Sequence, residues 1–288
     1  AAKPPRRSGA TPQGPQAAPA ASASRPCPPH NIDLLFGASV SRSTTLSTLL
    51  SIVFPAALAA QADSGVESGR FTLHKFQQPI GREEYALTRI TDGVTLVDTF
   101  EFIDRGTPVP LKTTALFGID ESTERVALRG KDSRNSTLDV TIEVVGDSAW
   151  VLRDGVVTVL PVPRPGFAIS GYSPIALQQQ LIRYWETHGR PDTLPTLPRG
   201  RVMIARRGTD TVTVESVPVA LRRYVVAGLI WGRETLWFDP ENRLVAAVTI
   251  DAEFDHFEAL REGYESALDL FVTRAAEDAA HALAELTA

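Results

Sequence analysis

Hydrophobic and polar residues alternate along most of the chain between residues 70 and 250. The clearest stretch is 136–145, where Leu138, Val140, Ile142 and Val144 fall on one side of an extended backbone and Thr137, Asp139, Thr141 and Glu143 on the other. A period of two marks a strand with one dry face and one wet face. The same pattern predicts strands at 71–76, 83–90, 94–103, 109–117, 123–131, 149–153 and 156–160. On the third of these, Val94, Leu96, Phe100 and Phe102 share a face that Asp98 interrupts. The connections carry Pro with Gly, or Asx-Gly: 77–81, Thr91-Asp-Gly93, Asp104-Arg-Gly106, Gly146-Asp147 and Asp154-Gly155. Short, evenly spaced strands predict an antiparallel meander rather than βαβ units.

Residues 161–171, with three prolines and two glycines, break the alternation. A helix is predicted over 174–188: Ser173 is an N-cap, Pro174 a first helical residue, and Leu177, Leu181, Ile182 and Trp185 form its apolar side. Gly189 ends it in the left-handed conformation and Pro191 prevents its continuation. A Pro-rich connector, 190–199, leads to a second strand set at 201–206, 211–217, 219–226, 234–239 and 244–250. Gly208-Thr-Asp210 and Asp239-Pro-Glu-Asn242 are its predicted turns. Asp255 and Glu258 then read as a capping box opening a long final helix with the stripe Phe257, Leu260, Tyr264, Leu268 and Phe271.

These elements predict a mainly β (α+β) domain over residues 68–288. Its architecture is a curved antiparallel β half-barrel wrapped around helix, with a long C-terminal helix. Either 174–188 or the final helix is the expected cover for the concave side. A curled sheet with a helix in its mouth leaves an apolar hollow, a common setting for a greasy ligand. Trp185, Trp231, Trp237, Phe100 and Phe102 are the candidate lining. The competing reading makes them core, because buried aromatics usually serve packing.

Composition adds a location. Residues 1–31 are Ala, Pro, Ser, Arg and Gly with almost no large apolar side chain, a composition that predicts disorder. Within 40–62, Arg42 precedes an apolar run from Leu46 to Leu58, Pro55 breaks its end, and the small-x-small sites Ala57-Leu-Ala59 and Ala60-Gln-Ala62 follow. This three-part form reads as a secretory signal cleaved between Ala59 and Ala62, which makes the mature domain periplasmic or secreted, with no transmembrane span after processing. A buried or membrane-anchoring helix is the alternative. The single methionine is Met203, so Ala1 reads as a processed, truncated or upstream-extended start. The net charge of −5 comes without a basic stripe, which argues against nucleic acid as a partner. One cysteine, Cys27, allows no internal disulfide, and a domain this large needs none.

Candidate chemistry is sparse. The segment 251–258 gathers four carboxylates and His256, but its spacing matches no metal signature, and Asp255 and Glu258 have the capping role. His188 sits at a helix C-terminus, where the dipole favours its cation. His74 lies opposite Phe71 and Leu73 on the first strand with no evident partner. No nucleophile elbow, zinc-helix, phosphate-loop or dinucleotide motif occurs. No catalytic residue, metal ligand or cofactor is therefore assigned.

The segments GRFTLHKFQQPIGREEY, GYSPIALQQQLIRYWETHGRP and RRYVVAGLIWGRETLWFDPENRLVAAVTIDAEFDHFEALREGYE, with a final helix of this kind, resemble a family of uncharacterised bacterial exported domains. WGRETLWFD and RYWETHG are the most distinctive parts, and the likeness covers roughly 68–287. Such domains often precede an amidohydrolase domain in one polypeptide, and the implied fold is similar to the periplasmic lipoprotein carriers. The resemblance implies two kinds of partner: a lipid or other apolar ligand, and an amidohydrolase domain or neighbour. It carries over no metal site, since the His-x-His strand of an amidohydrolase barrel is missing here. Two readings follow: a non-enzymatic domain binding an apolar or amphipathic ligand or docking a hydrolase, and an accessory domain whose catalytic barrel lies outside this chain.

Overall fold

The computed structural model describes residues 65–132, 135–169, 171, 174–251 and 256–287. The predicted tail 1–31, the predicted signal 40–62 and Ser173 lie outside these residues. The strands are β1 Val66–Lys75, β2 Gln78–Ile90, β3 Gly93–Asp104, β4 Thr107–Gly118, β5 Thr123–Lys131, β6 Thr137–Val145, β7 Ser148–Arg153, β8 Val156–Pro161, β9 Phe167–Ala168, β10 Leu194–Leu197, β11 Arg201–Val214, β12 Val217–Ala227, β13 Gly232–Phe238, β14 Leu244–Asp251 and β15 His256–Arg261. Helix α1 is Ile175–Thr187 and α2 is Leu268–Thr287.

All fifteen strands join one curved, open sheet in the order β8-β7-β6-β5-β4-β3-β2-β1-β15-β14-β13-β12-β11-β10-β9. Two meanders meet where β1 pairs with β15, Phe71 opposite Arg261 and Lys75 opposite Phe257. The β9–β10 pair is parallel; the other pairings are antiparallel. One end of the sheet curls back on itself, so that the Ala168 amide of β9 donates to the Thr123 hydroxyl of β5 at 3.2 Å. The other end is β8.

Helix α1 fills the concave side. Ten of its thirteen residues are buried, and its apolar side chains pack against Phe71, Tyr85, Leu96, Phe100 and Tyr224 in one core. Helix α2 packs on the opposite face: Phe271 lies 4.8 Å, centroid to centroid, from Trp237, in a second cluster with Leu221, Val245, Val248 and Leu260. Ion pairs of Asp210 with Arg223 and Arg274, and of Arg223 with Asp278, stitch α2 to the sheet. Among the described residues no helix is long and apolar enough to cross a membrane.

Three predicted features are corrected. Residues 256–261 form a strand, not the start of the final helix. Held between β1 and β14 and covered on both faces, β15 buries Phe257 and Ala259 in the inner core and Leu260 in the outer one. A strand with two dry faces loses its period of two, and this one mimics a helical stripe. Gly208-Thr-Asp210 is not a turn: β11 runs through it with a bulge between Arg206 and Gly208, and the reversal comes at Glu215-Ser216. The connector 190–199 contains β10, which pairs with both β9 and β11.

Candidate functional site

The N-terminus of α1 is capped from a distant strand. Pro174 is extended and supplies no side-chain bond. The Glu83 carboxylate of β2 instead accepts from the Ile175 and Ala176 amides at 2.8 and 2.6 Å. These are two of the amides a helix leaves unpaired at its start, and the dipole there favours negative charge. Glu83 is fully buried, as is Asp98 beside it on β3. Burial, and then the Glu83 charge, push the Asp98 carboxyl well above the usual carboxylate range; burial also raises Glu83, against the pull of the two helix amides. Both acids are thus disfavoured as charged groups, Asp98 the more so because the Glu83 charge adds to its burial.

A third acid, Glu234 on β13, is fully buried and accepts from Gln178 Nε2 and Thr249 Oγ1, each at 3.1 Å. Burial moves its pKa up to about 7. At the next residue of α1, the Gln179 side-chain carbonyl accepts from the Leu244 amide at 2.7 Å, and its side-chain amide donates to Glu67 at 2.8 Å. Glu67 also accepts from Tyr85 and pairs with Arg183 at 2.8 Å. Arg261 donates to the Tyr85 hydroxyl and the Leu244 carbonyl while lying over the Phe71 and Tyr85 rings at 5.1 and 5.4 Å. A cation on two ring faces with its donors engaged is strongly placed. This belt fastens α1 inside the sheet, so the concave side is occupied by the chain's own helix.

Open space lies at the end of the sheet. Between the β7–β8 hairpin and the Pro198–Arg199 turn is an open cleft of about 470 Å3, lined by Val151, Val156, Thr158, Leu160 and Pro198, with Arg153, Asp154 and Arg199 at its margin. Among the described residues β8 is the last strand at this end of the sheet. Thr196 braces the turn: its hydroxyl donates to the Arg199 carbonyl at 2.9 Å and its amide to the Gly200 carbonyl at 3.0 Å. Gly200, at φ +103°, fits there because a side chain would strain the backbone. Neither Arg153 nor Arg199 has an ion-pair partner among the described residues. An apolar trough with two uncommitted guanidinium groups at its rim suits a greasy molecule with an anionic head.

The five aromatic candidates fall into three settings. Phe100, Phe102 and Trp185 are inner core: Phe100 and Phe102 meet edge to face at 5.7 Å, and the Trp185 indole donates to the Pro191 carbonyl at 2.9 Å. Trp237 lies in the outer core and donates to Asp210 at 2.9 Å. Trp231 is 78% exposed. It stands in the loop between β12 and β13 and is not among the residues that line the cleft. His188 sits at the α1 C-terminus as expected, stacked on Tyr184 at 3.8 Å. His74 has a cross-strand partner in Glu258, and burial lowers its pKa. Of the acidic segment near 251–258, residues 252–255 lie outside the described set; among the described residues no group of three His, Cys, Asp or Glu side chains is placed to hold a metal.

The buried acids left a signal in the sequence. Asp98 interrupts a dry face between Leu96 and Phe100, Glu83 alternates with Tyr85 and Leu87, and Glu234 with Leu236 and Phe238. A charged residue in phase with core positions marks a buried acid. Arg153 and Arg199 left none, because strand-edge arginines are ordinary surface.

No family model matches the sequence, and no curated protein matches it. Among solved structures, the chain is similar to a β-barrel-like domain of unknown function, DUF1849, from Brucella abortus, at 10% identity and a TM-score of 0.46, over 67% of this chain and 94% of that one. It is also similar to LprF from Mycobacterium bovis, at 12% identity and a TM-score of 0.25, over 70% of this chain and 86% of that one. No activity or ligand is carried over from either.

Proposed function

We propose that this chain is a non-enzymatic, exported domain that holds an amphipathic ligand with an anionic head. The apolar part lies along Val151, Val156, Leu160 and Pro198, and Arg153 and Arg199 take the head. The observation that carries this reading is a pair of arginines, without an ion-pair partner among the described residues, lining a largely apolar cleft. The ligand site is the cleft rather than the concave interior, which α1 occupies. None of the five aromatic candidates lines this cleft; Phe102 lines a smaller open pocket of about 330 Å3 with Ile80, Arg82 and Ile103. Export rests on the form of residues 40–62, and attachment to an amidohydrolase on the family resemblance.

The test compares oleate with its uncharged methyl ester, by native mass spectrometry and by tryptophan-quenching titration. Two partly exposed charge-assisted contacts of about 1 kcal/mol each predict oleate binding at least tenfold tighter. Arg153→Glu with Arg199→Glu removes that preference, and Leu160→Ala weakens both probes. Equal affinity for the two probes, or binding of neither, overturns the reading.

A further inference from the structure

The two ends of the sheet are finished differently. Strand β9 is two residues long and is covered by β5. Strand β8 is six residues long, Val156-Val-Thr-Val-Leu-Pro161, bears no charge, and has nothing against its outer edge among the described residues. Natural edge strands are kept apart by charges, bulges or coverage, and Pro161 at the very end is the only such device here. The wet face next to this edge is apolar. Trp150, Leu152, Val157 and Val159 pair across the β7–β8 ladder on one side of the sheet, and they are 50, 41, 55 and 50% exposed. Four adjacent large side chains half in water form a patch of the kind that marks an interface.

The hydrogen-bond phase of the edge can be read. The Val162 amide donates to the Asp147 carbonyl at 3.0 Å. Antiparallel pairs alternate, so residues 156, 158 and 160 bond inward to β7. The amides and carbonyls of Val157 and Val159 therefore point outward, a two-donor, two-acceptor edge that is complementary to itself when reversed.

We propose that two copies of this chain associate through this edge, β8 against β8, antiparallel about a two-fold axis at Thr158. Val157 of each copy then faces Val159 of the other through four backbone hydrogen bonds, and the two apolar patches become one continuous strip. A second copy is the occupant because the surface is isologous in phase and in charge. The strand carries no charge to repel its twin, and the register sets exposed Asp154 of one copy level with uncharged Val162 of the other, so no like charges meet across the axis. The inner positions Val156 and Leu160 of both copies also extend the wall of the cleft, although the pairing does not depend on what the cleft binds.

Sedimentation velocity on the full chain between 1 and 100 μM, as a rough working range for interfaces of modest area, is expected to show a concentration-dependent species of twice the 31.2-kDa chain mass. Val157→Lys with Val159→Lys, two exposed positions outside both cores, is expected to raise the dimer dissociation constant by about 30-fold or more with an unchanged circular-dichroism spectrum and melting temperature. In a Cys27→Ser background, Thr158→Cys is expected to cross-link two chains on oxidation, because a residue on the axis meets its own copy at about 4.5 Å between Cα atoms; Val156→Cys is not. A chain that stays monomeric throughout the range overturns the proposal, including one that takes up an unrelated strand peptide instead. So does a dimer indifferent to the two lysines, or one that Thr158→Cys fails to trap.

Discussion

Glu234 is a carboxyl buried without a cation, and its cost depends on pH. Its pKa is 4.5 in an ordinary setting and about 7 in the folded chain. The folded state thus holds the proton more tightly than the unfolded state. Stability from this group is fully present below pH 4.5 and is lost as pH rises, the loss levelling off above pH 7. A shift of about 2.5 units, at 1.36 kcal/mol per unit, bounds the loss at roughly 3 kcal/mol, of which about 2–3 falls between pH 5 and pH 8. Glu234→Gln removes the titration while keeping an oxygen to accept from Gln178 and Thr249. Urea unfolding followed by tryptophan fluorescence at pH 5, 6, 7 and 8 measures the difference. The variant should match the wild type within about 1 kcal/mol at pH 5 and exceed it by about 2–3 kcal/mol at pH 8. A difference between the two chains that stays constant across this range would refute the reasoning, because it would mean that Glu234 ionises as readily in the core as in water.

Other outcomes follow from the same structure. Asp98→Asn replaces a buried acid beside Glu83 with a neutral side chain of the same shape and should cost less than about 1 kcal/mol at pH 7, whereas Glu83→Ala uncaps α1 inside the core and should cost about 3 kcal/mol or more, both read by urea unfolding. Gly69→Ala places a methyl group where the Arg261 guanidinium and the Tyr85 ring sit, so it should destabilise by about 1–3 kcal/mol and lower the melting temperature. Ser216→Gly relieves a left-handed residue, φ +69°, at the β11–β12 turn and should stabilise by about 1 kcal/mol, seen as a higher melting temperature.

Strands with one dry and one wet face were legible residue by residue. Leu138, Val140 and Ile142 on β6 could be placed without coordinates, as could the turns at Gly93, Gly106 and Gly155. Strand β15 was not legible, because Phe257-Glu-Ala-Leu260 is dry on both sides and period two vanishes there. Ser173, the cap expected for α1, lies outside the described residues, and no local pattern announces that Glu83, 92 and 93 positions away in sequence, bonds the helix's first amides. The five aromatics were recognisable as large apolar side chains, yet nothing in their spacing separates the inner core of Trp185 from the outer core of Trp237 or the solvent around Trp231.

Local pattern was enough for the antiparallel, mainly β character, for a helix expected over 174–188 and found at Ile175–Thr187, and for a helical C-terminus, because periodicity, caps and turn residues act over a few positions. Which helix fills the concave side, which acids share a dry interior, and which strand is left as an edge emerge only in the folded chain. Those outcomes depend on long-range pairing such as β1 with β15, whose partners are nearly two hundred residues apart. The alternation of apolar and polar residues tells each strand which face to bury, but not which strand will lie beside it.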